Sequence, residues 1–546
     1  MRDRLPASGQ TAPERHQGQG RGLLPRWAGG GLLFAILALA GALPLWATEH
    51  PPIQDWPQHL AAIRVLHSYR DPAFDFQRYF VLEPTRTQYL SVYYGAAVLA
   101  HLVGVAAAAK LVLSAAIVSL PFAVRSLARE VGGAGSTGLL ATPLAYSAHT
   151  ILGFLNFLVA LPLMIWAIAW MLRGVKQNRE RDLWISAALL IVCFYTHVLP
   201  FGFAALGSLL VVLVPPWRAP WRRLLPLALV GLAVVPWLAG TPAGEAVLTV
   251  LLGRRGGGVK PTYESFDMAL TQLPLWLTDV WRGDGDRWLM GAWAVLVLLW
   301  AVLGARGRRG RRETLAGEAA NRMCSSAGRL WLLPLVAGVA YFLVPSSYGW
   351  IWPISARFPL LAVLLMLPLL PSPAPGVRGG LLTGIGVLVV CSVLAVAHRF
   401  QRFEQQEVHG LREVLECIPP RQRVAGLIFA SGSAVVEFAP FLHAVAYYQA
   451  RRGGAVMFSF ADFPHSVYRY RETLRPPPVP PRWEWLPHSV DPDEDLDWYD
   501  WVLVRGGPGA MRGSQDFVVE GAVGAWSVWQ RRTSPESAGA PDHPPR

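Results

Sequence analysis

Residues 49–60 read Glu49-His50-Pro51-Pro52-Ile53-Gln54-Asp55-Trp56-Pro57-Gln58-His59-Leu60, directly after an apolar run from about Ala28 to Trp46. That run is long enough to cross a bilayer at roughly 1.5 Å per residue. It is also longer than a usual signal core, so it reads as an uncleaved span. Asp55 therefore stands just past a bilayer edge, where a carboxylate can face a lipid headgroup or a water-filled cleft. A structural reading sits beside this one. Asp at an N-cap, with Pro in the first turn and Gln three residues on, starts a helix over 56–69. The two roles are compatible.

The rest of the chain agrees with a membrane setting. Of 546 residues, 53% are hydrophobic and only 16% charged, well short of the roughly 25% charged in soluble domains. The 23 Trp and 45 Pro suit headgroup-level aromatics and proline-broken helices. The net charge of +13 points to cytoplasmic loops and not to nucleic acid. The four cysteines, Cys193, Cys324, Cys391 and Cys417, have no C-x-x-C spacing, so no disulfide framework or zinc site is indicated.

Further spans are expected at about 108–128, 134–152, 156–173, 183–199, 201–215, 223–240, 288–304, 329–347, 357–371 and 379–397, eleven in all with the first. Alternate connections collect Arg125 and Arg129; Arg173, Lys176, Arg179 and Arg181; Arg218, Arg222 and Arg223; and a run from Arg306 to Arg329. By the positive-inside rule these loops and the N-terminus are cytoplasmic, and an odd span count puts the C-terminus outside.

The expected organisation is mainly α: a disordered tail 1–28, a transmembrane domain 29–397, an extracytoplasmic α/β domain 398–532 and a disordered tail 533–546. In the first outer segment, Tyr89 to Val105 is half-apolar and reads as an interfacial helix. In the last domain, Val424–Phe429 and Trp501–Val504 read as buried strands, with a helix near Ala434–Arg451 between them. It carries no G-x-G-x-x-G, P-loop or nucleophile elbow.

A span, an outer acid opening a helix (Gln54-Asp55-Trp56-Pro57-Gln58-His59), an interfacial helix, many spans and an outer α/β domain together resemble the GT-C superfamily of membrane glycosyltransferases. The likeness covers most of the chain in architecture and few residues in motif. It implies an enzyme of the cytoplasmic (inner) membrane that takes a sugar from a polyprenyl phosphate carrier and passes it to a glycan, lipid or protein acceptor outside. In it Asp55 is the matching catalytic base. Many relatives carry paired acids where this chain has Asp55 followed by Trp56. No cofactor is thereby indicated, and dependence on a divalent metal is left open.

One carboxylate suffices chemically. Polyprenyl phosphate leaves already ionised, so the enzyme need only deprotonate the acceptor hydroxyl and neutralise phosphate charge. Inversion at the anomeric carbon is the expected outcome. The candidate cations are Arg357, in Trp352-Pro353-Ile354-Ser355-Ala356-Arg357, and Lys110, each at the outer start of a span. Their bland reading is snorkelling to headgroups. His59 shares a helical face with Asp55. His149 and Asn156 lie in the second outer connection and His197 at another outer turn. Each also reads as a packed polar residue, and the spacing of the histidines demands no metal. Asp284 and Asp286 flank glycines and suit a turn or a cation. The Tyr93-Tyr94 and Trp350-Trp352 aromatics read as interfacial belts, with rings that can also stack on a sugar.

Two other classes compete. A lipid or polysaccharide transporter or flippase calls for ionisable residues inside spans and for internal duplication. A non-enzymatic assembly protein would work through its C-terminal domain.

Overall fold

A computed structural model describes residues 26–532 apart from 86, 214–219, 242–243, 246–247, 249–259, 313–325, 350, 481 and 508. Both expected tails beyond 26–532, Arg218, Arg322, Cys324 and Trp350 lie outside the described residues.

Five helices are long and apolar enough to cross a membrane: Val105–Glu130, Leu155–Gln177, Trp221–Gly240, Gly285–Gly307 and Pro375–Val408. Shorter apolar helices accompany them, among them Leu90–Val103 and Arg357–Leu369. Large apolar side chains such as Leu33, Ile36, Leu232, Leu298, Leu335 and Leu394 stay exposed, as a lipid-facing surface requires. Eleven full-length spans are not seen among the described residues.

The run 134–152 departs from its expected single helix. It divides into 3-10 turns at Gly135–Ala141 and Pro143–Ala145 and a short helix, Ala148–Leu152. The cause is close packing. A Cβ on Gly138 would lie 2.3 Å from the Pro121 carbonyl oxygen, so the backbone presses on the neighbouring long helix, with Pro143 interrupting the run. Irregular backbone at membrane depth is tolerated where protein buries it, and residues 137–142 are buried or nearly so.

The C-terminal part holds a five-stranded sheet in the order Ala455–Val456, Arg423–Ile428, Trp501–Arg505, Trp526–Arg531, Phe517–Val523. The first three strands run parallel, and the last two form an antiparallel hairpin. Period-two alternation divides its faces. Val424, Ile428, Leu503 and Val528 join the large core shared with the helices. Ala425, Leu427, Val502 and Val504 build a second, smaller core. The expected helix at Ala434–Arg451 is shorter, Ala446–Arg452. Its N-terminal half is replaced by turns around Pro440 and a positive φ of 61° at Phe438.

The first outer segment is stitched to this domain. Phe80–Leu82 pairs antiparallel with Tyr468–Tyr470, and Gln58 Nε2 donates to the Phe458 carbonyl at 2.7 Å. Arg282, from the loop before helix Gly285–Arg312, pairs with Glu437 at 2.9 Å. The loops beyond the first span and the C-terminal domain therefore share one face of the molecule.

Candidate active site

Helix Trp56–His67 begins where expected, and Asp55 stands at its N-cap, but its side chain makes no capping hydrogen bond. The carboxylate is turned to the C-terminal domain instead. Its Oδ1 lies 3.0 Å from His443 Nδ1, and His443 Nε2 lies 2.8 Å from Glu484 Oε1. His443 sits past the C-terminal end of strand Arg423–Ile428, the end at which open α/β sheets commonly place ligands. Burial opposes a charge on His443, but Glu484 and Asp55 outweigh it and push the pKa up to about 10. An imidazolium is thus clamped between two carboxylates, and Asp55 keeps about a fifth of its side-chain surface open (20%).

The second outer connection, which supplies no carboxylate, supplies the seat for one. Gly153 has φ +93°, and a Cβ there would lie 2.7 Å from Asp55 Cβ and 2.8 Å from its backbone nitrogen. Only glycine allows that approach. The Gln54 backbone N–H adds a hydrogen bond to the Ile151 carbonyl at 2.8 Å.

Arg357 is brought to the same place. Its guanidinium lies over the Phe154 ring at 4.6 Å and within electrostatic reach of Asp55 and Tyr89. Its Nε is buried with no hydrogen-bond partner among the described residues, as are Asn156 Oδ1 and Gln88 Oε1. A buried guanidinium nitrogen without an acceptor is costly unless a ligand completes it, and a phosphate oxygen suits it well.

No protein-family model matches the chain, and no curated protein matches it. Among solved structures it is similar to the arabinofuranosyltransferase AftD from Mycobacteria, at a TM-score of 0.50 and 15% identity, over 94% of this chain and 40% of that one. The chain shares the fold of that protein. It spans 40% of the length of AftD. ArnT from Cupriavidus metallidurans bound to undecaprenyl phosphate matches at a TM-score of 0.48 and 15% identity, over 95% of this chain and 100% of that one.

Within this fold the other candidates take these places. His59 has both nitrogens engaged: Nε2 donates to the Gly153 carbonyl at 2.7 Å, which leaves Nδ1 to accept from Tyr93 Oη at 2.9 Å. Burial lowers its pKa, so it is a neutral brace beneath Asp55. His149 is fully buried, with Nε2 3.0 Å from the Ala356 carbonyl, and so fixes the start of the Arg357 helix. His197 accepts from the Leu199 backbone N–H at 3.1 Å as a helix cap, and it too lies within electrostatic reach of Arg357. Lys110 donates to the Thr48 carbonyl at 2.6 Å. Asp286 accepts from the Val280 N–H at 2.8 Å, while Asp284 pairs with Arg287 at 3.0 Å, so this Gly-Asp turn is closed on itself.

A second cluster, Glu49, His50 and Glu404, has ligand atoms within 4.8 Å of one another, as a metal site requires. Positive charge is already present there. Arg451 Nη2 lies 2.8 Å from Glu49 and 2.9 Å from His50 Nε2.

His443, Glu484 and Gly153 were not singled out in the sequence. His443 and Glu484 lie far from Asp55 along the chain and stand in no motif. The Gly153-Phe154 step after a short apolar run was the one local sign of a tight approach.

Proposed function

We propose that the chain is an integral membrane glycosyltransferase that moves a sugar from a polyprenyl phosphate carrier to an acceptor on the outer side of the cytoplasmic membrane, inverting the anomeric carbon. The observation that carries this reading is an Asp55 carboxylate released from helix capping near an Arg357 guanidinium whose buried Nε has no hydrogen-bond partner among the described residues.

In this mechanism His443 holds Asp55 Oδ1, leaving Oδ2 for the acceptor hydroxyl. The hydroxyl proton passes to Asp55 as the oxygen bonds to the anomeric carbon. The bond from that carbon to the phosphate oxygen breaks with its electron pair, and Arg357 receives the developing charge. The leaving group is already an ionised phosphate, so no general acid is required. AftD is named an arabinofuranosyltransferase, and transfer of this general kind is what the shared fold supports here. The N-terminus is then cytoplasmic and the C-terminal domain extracytoplasmic.

The test is transfer in proteoliposomes from a panel of polyprenyl-phosphate-linked pentoses and hexoses. Asp55→Asn is expected to lower turnover by about 10²–10⁴-fold, the usual share of a general base, with thermal stability retained. Full activity in a folded Asp55→Asn protein would remove Asp55 as the base.

A further inference from the structure

Beside the Arg357 centre lies a cavity of about 200 Å³, closed on one side by the C-terminal domain and on the other by the short Pro261–Thr262 and Ser347–Tyr348 ladder. Its lining has a distinct chemistry. Trp276, Trp352, Tyr341 and Phe438 supply rings, and Glu264 and Asp279 supply carboxylates. Among the described residues no Lys or Arg lines it, so an anion such as phosphate finds no partner in that lining. Arg287 approaches Asp279 to 3.9 Å from outside the lining, and carboxylates in the wall disfavour a lipid tail.

Flat aromatic faces together with hydrogen-bond acceptors suit a ligand with C–H groups on one face and hydroxyl donors round its edge. The size excludes a drug-sized molecule, for which pockets of about 300–1,000 Å³ are usual, and leaves room for a single ring. The rings are held in place: Tyr341 Oη donates to the Ala269 carbonyl at 2.6 Å, and Trp276 meets Trp352 edge-on, with centroids 6.5 Å apart. Trp352 is 50% exposed and forms an open wall.

The location links the cavity to the proposed chemistry. The Trp276 ring packs 6.3 Å from His149, whose Nε2 contacts the carbonyl of Ala356, next to Arg357. On the opposite wall, Phe438 precedes Ala439, whose N–H donates to Gln54 Oε1 at 3.4 Å, one residue from Asp55.

We infer that this cavity is a subsite for one neutral sugar ring, stacked on Trp352 and Trp276 and hydrogen-bonded through its hydroxyls to Asp279 and Glu264. As a step in transfer it rests on the function proposed above; as a binding site it stands by itself. The ring can belong to the carrier-linked donor or to the acceptor.

Saturation-transfer NMR on the full chain in nanodiscs, with methyl pentosides and hexosides as probes, tests it. Ring-proton saturation is expected in the wild type, with affinity falling about three- to tenfold in Trp352→Ala and about tenfold in Asp279→Asn. Trp352 is half-exposed, so its loss spares the core. Asp279 has φ +51°, which Asn also adopts. In the transfer assay, the substrate against which a bound methyl glycoside competes identifies the source of the ring. Asp55→Asn should lower transfer by about 10²–10⁴-fold and leave the NMR signals in place. If instead Asp55→Asn still transfers, the base assignment fails while the subsite is judged by NMR alone. Absence of saturation with every glycoside, or signals unchanged in both variants, overturns the subsite.

Discussion

Two clusters are both built from residues 48–55 and the C-terminal part of the chain, yet they are wired differently. Around Glu404 every contact is matched. Its carboxylate accepts from Thr48 Oγ1, from the His50 N–H at 2.8 Å and from His50 Nδ1 at 2.9 Å, while Arg451 closes the far side of His50. Around Asp55 the matching is incomplete. One imidazolium is shared by two carboxylates, and the Arg357 Nε has no acceptor among the described residues. Charge density alone therefore does not mark a working site. The Glu404 cluster is a latch that ties residues 48–50 to the C-terminal domain, and the Asp55 cluster holds groups left without an internal partner among the described residues.

The strongest way to break this contrast is to neutralise one charge in each cluster. Among the described residues the Arg357 side chain makes no hydrogen bond that Arg357→Gln would remove, so its expected effect is on turnover, about 10²–10³-fold, as for loss of one charge-stabilising donor, with little change in unfolding. Glu404→Gln is expected to do the reverse. It should cost about 1–3 kcal/mol of stability for the weakened contacts and leave turnover per folded molecule near wild type. Thermal unfolding and transfer measured on the same preparations check both; equal losses of stability in the two variants would end the distinction.

A smaller effect is expected from pH. The His443 pKa, raised from 6.5 to about 10 between Glu484 and Asp55, makes the seating of the domain on Asp55 proton-dependent. A raised folded-state pKa gives stabilisation that is complete below about 6.5 and is lost as pH climbs through about 10, at up to about tenfold per pH unit in the seating equilibrium. The groups that face it are Asp55, Glu484 and the neutral His59. Hydrogen exchange across 441–452, divided by the intrinsic amide rate at each pH, should speed up between pH 7 and 10 in the wild type and lose that slope in His443→Gln. A slope that persists in the variant assigns it to another group.

Asp55 was legible in the sequence because its signal is local: a span, then an acid, then Pro and Gln within one turn. The sequence offered capping and chemistry as compatible roles, and the unmade cap hydrogen bond with a turn toward His443 is information that only packing supplies. The long helices were legible for the same reason, since hydropathy is summed over neighbours. Residues 134–152 were misjudged because hydropathy does not register that Gly138 is pressed against the Pro121 carbonyl. His443 and Glu484 were invisible because nothing around them in sequence differs from an ordinary polar surface. The crossover at the end of strand Arg423–Ile428 brings His443 to the site, and the segment Arg482–Trp485 brings Glu484.

The finest test of the contrast concerns how Asp55 is aimed. Gly153 and Gly104 both have positive φ, +93° and +78°, but only at Gly153 would a Cβ meet anything, namely the Asp55 backbone and Cβ within 3.1 Å. Alanine strains the backbone at both positions, more at Gly104, whose ψ of 161° gives a conformation nearly confined to glycine, than at Gly153 with ψ 31°. Only Gly153→Ala adds a collision with Asp55. Both variants should lose thermal stability, and per folded molecule Gly153→Ala alone should lose three- to tenfold or so in turnover, because displacement of a reacting group by a fraction of an ångström is costly. Gly104→Ala should retain its turnover once corrected for folded protein. If the two variants turn over alike, the contact of the second outer connection with Asp55 is packing without consequence for the chemistry, and the Asp55 cluster differs from the Glu404 latch only in its unfilled partners.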